Sequence, residues 1–114
     1  MSGPGAETAE TVVIAARYCG PPESGNGGYS AGLLGTRLTG TPEVRLHRPP
    51  PLDRPLTLRC GAETGELLDG ETVVASARPG AIEGGLPPAP TLGEARAAAR
   101  DYLGFEAHTF STCF

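Results

Sequence analysis

The residues best suited to chemistry lie together in the run Glu23-Ser24-Gly25-Asn26-Gly27-Gly28-Tyr29-Ser30. A polar residue, two glycines and then an apolar segment is how the N-terminal end of a helix is written. Such an end exposes unpaired N–H groups and the positive end of a dipole, so it can stabilise a developing oxyanion. Gly27 and Gly28 have no side chain and would let a carbonyl group approach the backbone closely. The Asn26 amide can hydrogen-bond such a carbonyl or a water. Glu23 is the nearest acid, able to act as a base or to position that water. Each residue also has a plain structural role. Asn26 and Ser24 are both good helix caps, the glycines can simply turn the chain, and Glu23 can be a solvated loop carboxylate.

Other constellations point nowhere as specific. Arg45, His47 and Arg48 could meet a phosphate at a sheet edge, or form an ordinary solvent face. Cys19, Cys60 and Cys113 make an odd count with no CxxC pair, and His47 and His108 add no zinc spacing. They read as reduced cysteines acting as small hydrophobes, with no metal and no cofactor implied. Ser24 and Ser30 stand in no GxSxG elbow, and Gly25-Asn26-Gly27 lacks the third glycine of a dinucleotide fingerprint.

Elements must hold the run in place. Thr11 to Tyr18, β-branched at its start, reads as a strand. Cys19 to Gly28 breaks it. Tyr29 to Leu38 reads as a helix, with Tyr29, Leu33, Leu34 and Leu38 on a helical repeat. Its single charge, Arg37, implies burial around most of its circumference. Gly32 and Gly35 inside it imply close approach of another backbone. Four strands follow. Glu43 to Arg48 alternates with Val44 and Leu46 inward and Pro49-Pro50-Pro51 ending it, and Leu56 to Cys60 points Leu56, Leu58 and Cys60 inward. Gly65 to Leu68 and Thr72 to Ala77 flank the turn signal Asp69-Gly70. Short connections favour antiparallel pairing. A Gly/Pro linker follows. Thr91-Leu92-Gly93-Glu94 then has the form of a capping box, opening a helix to about Leu103 with a narrow stripe of Leu92, Ala95, Ala99 and Leu103. That stripe would dock weakly or span a gap.

Composition bounds the rest. In 114 residues there is room for one small domain, and 17 glycines with 12 prolines leave a thin core without tryptophan. The basic residues are nine arginines with no lysine, which excludes a P-loop. A net charge of −4 with scattered arginines argues against nucleic acid. The longest apolar run, Val12 to Ala16, is far too short to span a membrane, and the first ten residues carry no basic targeting pattern, implying a cytoplasmic chain.

Strand, Gly-rich loop, apolar helix and antiparallel meander in that order resemble the hotdog fold. Gly27-Gly28-Tyr29-Ser30-Ala31-Gly32-Leu33-Leu34 resembles the GGY-x-A-x-LL segment that opens the central helix of acyl-CoA thioesterase-like hotdog proteins of the thioesterase II type. Val44 to Pro51 resembles that family's strand and Pro-containing bend. Leu68-Asp69-Gly70-Glu71-Thr72-Val73-Val74-Ala75-Ser76-Ala77 resembles its hairpin. The likeness covers roughly residues 12 to 80.

The resemblance implies an α+β hotdog: a curled antiparallel β-sheet wrapped around a central α-helix, with an extra C-terminal helix. The expected layout is a disordered tail over 1–10, the hotdog over 11–80, a linker over 81–90, a helix over 91–104 and a tail over 105–114. It further implies an acyl-CoA thioester as ligand, water as nucleophile, and Gly27, Gly28 and Tyr29 as the binding segment. The N–H groups of Gly28 and Tyr29 would be the oxyanion donors, with Asn26 and Glu23 as the catalytic pair. Asn26 stands where related single-domain thioesterases often have His. The helix carries no Asp or Glu, although many hotdog hydrolases place their carboxylate there. The family is commonly built of two hotdog halves, so the chain reads as an N-terminal half seeking a homodimer partner or a second half. The competing class is a half-domain that binds acyl-CoA, or a structural partner, without catalysis. A hotdog hydratase or dehydratase would need a His or Asp that is not evident beside Asn26.

Overall fold

The computed structural model describes residues 7–107. The expected tail residues 1–6, and His108 and Cys113 within 108–114, lie outside the described residues. Five strands, β1 (Thr8–Val13), β2 (Pro42–Leu46), β3 (Pro55–Cys60), β4 (Gly65–Asp69) and β5 (Thr72–Pro79), form one antiparallel sheet in the order β1-β3-β4-β5-β2. Helix α1 (Gly27–Gly35) packs on its inner face, nearest β2, β5 and β4. A second helix, α2 (Leu92–Arg100), follows the sheet.

Alternation decides which side chains go inward. Leu56, Leu58 and Cys60 of β3 are buried as their spacing requires, with Leu67, Ala75 and Ala77 from the next strands. Leu34 of α1 and Ile14 after β1 close this core at 0% exposure. Leu34 fits because Gly65 faces it: a Cβ on Gly65 would lie 2.9 Å from Leu34 Cδ1 and from Cys60 Sγ.

Val74 breaks the alternation. Leu67 pairs with Ala75 and Leu68 with Val73, so Val74 is an extra residue in β5, a bulge. Adjacent residues Val74 and Ala75 are therefore both buried, at 1% and 0%. The β4–β5 hairpin turns through Gly70-Glu71, where Gly70 has φ +62°, the left-handed conformation that the first central residue of a II′ turn needs.

Several elements depart from the pattern. β1 starts at Thr8, inside the stretch read as a tail, and stops at Val13 instead of running to Tyr18. It pairs with β3 from Thr8↔Cys60 to Val13↔Pro55, and Pro55 has no N–H to extend the ladder. Asp53 then turns the chain: its N–H donates to Ile14 O at 2.8 Å and its Oδ1 accepts from Ala16 N–H at 2.9 Å. Ala16–Tyr18 becomes a single 3-10 turn.

Helix α1 begins two residues early and ends at Gly35, not Leu38. Arg37 and Leu38 donate instead to carbonyls three residues back, Leu34 and Gly35. Its glycines do not serve close backbone approach. A Cβ on Gly32 would meet nothing within 4 Å, and one on Gly35 would make an ordinary 3.6 Å contact with Pro42 Cγ. Nor is the helix buried all round: only Ser30 and Leu34 are, while Gly28 and Gly32 are exposed. Leu46, expected inward, is 41% exposed because β2 is the sheet's last strand.

Beyond Gly80 the chain leaves the sheet. Every residue from Ala81 to Arg100 is exposed. α2 ends at Arg100, and Leu103–Phe105 forms a separate 3-10 turn instead of a last helical turn. No helix of the described residues is long and apolar enough to cross a membrane.

Candidate functional site

Asn26 is the N-cap of α1. Its Oδ1 accepts from Tyr29 N–H at 2.9 Å, and its carbonyl accepts from Ser30 N–H at 2.9 Å and Ser30 Oγ–H at 2.8 Å. Two further bonds strap the cap to the body: Asn26 N–H donates to Tyr18 O and Gly25 N–H to Pro50 O, each at 2.8 Å. Gly25 must be glycine for this. A Cβ there would stand 2.9 Å from Ser30 Oγ and 3.2 Å from Pro50 Cβ.

Of the first four N–H groups of the helix, those of Tyr29 and Ser30 are therefore occupied. The N–H groups of Gly27 and Gly28 have no partner among the described residues, and Gly28 is exposed. Of the expected donor pair, Tyr29 N–H is thus engaged by the cap and Gly28 N–H is free, with that of Gly27 free beside it. Gly27 sits under the last residue of β2: a Cβ on it would lie 3.2 Å from Leu46 Cδ1. The open end of α1 accordingly faces the unpaired edge of the sheet.

Tyr29 serves through its ring. It stacks on Tyr18 with centroids 4.2 Å apart and planes 9° off parallel, and Arg17 lies 4.8 Å above the Tyr18 centroid. This wall was not legible in the sequence, since Tyr18 sits on a different element and only the return of the loop brings it to Tyr29. Ser30 was also missed as the brace of the cap; its position four residues after Asn26 was the available signal.

Glu23 stands apart. It lies exposed in a small turn closed by Gly20 N–H to Ser24 O (3.0 Å) and Ser24 N–H to Pro21 O (3.2 Å). Its carboxylate makes no hydrogen bond or ion pair among the described residues, so the structure does not join it to Asn26. Cys19 and Cys60 are free thiols, and burial pushes the Cys60 thiol above its ordinary pKa. Among the described residues no three His, Cys, Asp or Glu side chains gather to hold a metal ion.

Sheet order, strand direction and one helix packed on the inner face define a hotdog-like α+β fold. Among solved structures the chain is similar to protein RHA08564, described as a thioesterase superfamily protein, with a TM-score of 0.54 and 29% sequence identity over 62% of this chain. The match takes in 46% of that protein, so this chain spans about half the length of the structure it resembles. No protein-family model matches the sequence, and no curated protein does.

Proposed function

We propose that this chain binds acyl-CoA thioesters at the N-terminus of α1 and hydrolyses them. The observation that carries the reading is the pair of free N–H groups on Gly27 and Gly28, side by side at a rigid cap, in a fold resembling a thioesterase superfamily protein. A thioester carbonyl seated there gains two donors and the helix dipole as its oxygen becomes anionic. Asn26 contributes twice. Its Oδ1 holds the first turn in place, and its Nδ2 is left to donate to the substrate or to water. Water adds to the carbonyl carbon, the carbon–sulfur bond breaks, and the products are a carboxylic acid and the CoA thiol. Glu23 is the base of this reading, brought in by movement of its exposed turn.

A second hotdog unit, another copy or a separate half, belongs to the same proposal. The edge of β2, with Leu46 41% exposed, borders the open helix end, so a partner pairing there would wall the site. The non-catalytic reading keeps the same site and omits turnover. It is favoured by one observation, the separation of Glu23 from the cap.

The test is thiol release from short, medium and long acyl-CoA by the purified chain and by Asn26→Ala and Glu23→Gln. Turnover that falls by about a hundredfold or more in Asn26→Ala, the value of losing one aligned donor, is the expected result. Saturable binding without turnover would select the non-catalytic reading. Neither binding nor turnover from folded protein would refute both.

A further inference from the structure

The opposite face of the sheet carries a different constellation. Ser76 of β5 points outward, away from α1, opposite Arg45 of β2 and Glu66 of β4. Just past β2, the N–H groups of His47 and Arg48 both donate to the single carbonyl of Val74, at 2.8 and 3.3 Å. Two residues against one is a bulge, and it re-aims side chains at a strand end. Here His47 and Ser76 line two adjoining hollows, one of about 170 Å³ that Arg45 also lines and a more open one that Arg48 lines. Ser76, the smallest of these residues, is the floor. His47 Nε2 is fixed against its hydroxyl at 2.7 Å.

The charges around the floor are unequal. Glu43 is engaged by Arg78, at 2.8 and 2.9 Å, and Glu66 lies 4.0 Å from Arg59, which also faces Glu7 at 3.5 Å. Arg45 and Arg48 face no carboxylate within ion-pair distance among the described residues. Two unpaired guanidinium groups thus flank a hydroxyl and an imidazole, in a chain whose net charge is −4. Guanidinium forks match the oxygens of a phosphate group, and a hydroxyl adds a donor between them.

We propose that the outer face of β2 and β5, around Ser76, binds the phosphate group of a small ligand through Arg45, Arg48, His47 and Ser76. The site lies across the sheet from the helix N-terminus and stands independently of the thioester reading.

The test is calorimetric titration of the chain with sodium pyrophosphate and, separately, with adenosine 5′-diphosphate, with amide resonances followed in parallel. Saturable binding that perturbs Arg45, His47, Arg48 and Ser76 is expected. Arg45→Gln should weaken it about tenfold, as loss of a charge-assisted contact does, and Ser76→Ala should weaken it less. Arg96→Gln on exposed α2 should leave it unchanged. Equal affinity for both probes would identify the isolated phosphate group as the recognised feature, and tighter diphosphate nucleotide binding a nucleotide-borne one. Absence of saturation, perturbation confined to other residues, or equal weakening by Arg96→Gln and Arg45→Gln would overturn the proposal. Both arginines are exposed, so matching thermal midpoints will show that the variants fold.

Discussion

The two helices are each nine residues long and each begins at a side-chain cap, yet opposite forces hold them. α1, GGYSAGLLG, has three interior or terminal glycines beyond its first residue and poor intrinsic propensity. It is helical because Leu34 and Ser30 are buried and because the loop before it is tied down by backbone hydrogen bonds. α2, LGEARAAAR, is rich in alanine and arginine and opens with a complete capping box, but it buries nothing. Helices this short are marginal in water without packing. Local sequence therefore writes α2, and the rest of the fold writes α1. The candidate thioester site sits on the helix that tertiary structure holds, where a rigid position for two N–H groups can be maintained.

The contrast breaks most sharply at one leucine on each helix. Leu34→Ala empties a fully buried position against Gly65 and should lower unfolding free energy by about 2–5 kcal/mol, the range for large-to-small core changes. Leu92→Ala, at a residue 66% exposed, should change it by less than about 0.5 kcal/mol. Denaturant unfolding of both variants checks the pair. Similar losses would mean that α2 is packed in solution, and the distinction between the helices would fall.

How much of this was legible follows the same divide. Strict alternation in Leu56-Thr57-Leu58-Arg59-Cys60 and the Asp69-Gly70 signal placed β3 and the β4–β5 hairpin, because a half-buried antiparallel strand writes its own period, although Asp69 ends β4 and the turn itself is Gly70-Glu71. Thr91 and Glu94 announced the start of α2 for an equally local reason. The bulge at Val74 was invisible, since Val73-Val74-Ala75 is uniformly apolar and only pairing across β4 makes one residue extra. The end of β1 was misplaced because Asp53, distant in sequence, turns it. At the site, Asn26 was legible as a cap. Which N–H groups that cap leaves free was not, because it depends on the exact reach of its side chain to Tyr29.

A glycine sharpens the comparison from the other side. Gly32 is exposed, lies mid-helix and has no atom within 4 Å of where a Cβ would stand. Its φ is not in the left-handed region. Gly32→Ala should therefore stabilise the protein by up to about 1 kcal/mol, through helix propensity and a less flexible unfolded chain. An increase in thermal midpoint without change in thiol release is expected. Destabilisation would mean that this face of α1 meets something in solution, as a paired second unit would provide.

The smallest effect belongs to α2 and to pH. Glu94 Oε1 accepts from Thr91 N–H at 3.0 Å, and Thr91 Oγ1 accepts from Glu94 N–H at 3.1 Å. The backbone bond, then the side-chain bond, hold the Glu94 carboxyl below its ordinary pKa. A depressed folded-state pKa stabilises the helix above the unfolded value, and that contribution disappears as pH falls through the folded one. Acidification should therefore loosen the first turn of α2, seen as lower amide protection factors there after correction for the intrinsic pH dependence of exchange. Glu94→Gln retains a capping-box partner without a titrating group, so its α2 should lose this pH dependence. Because none of α2 is buried, the loosening should stay local and leave the main unfolding transition where it was. A transition that moved together with the Glu94 titration would show the two helices to be one cooperative unit.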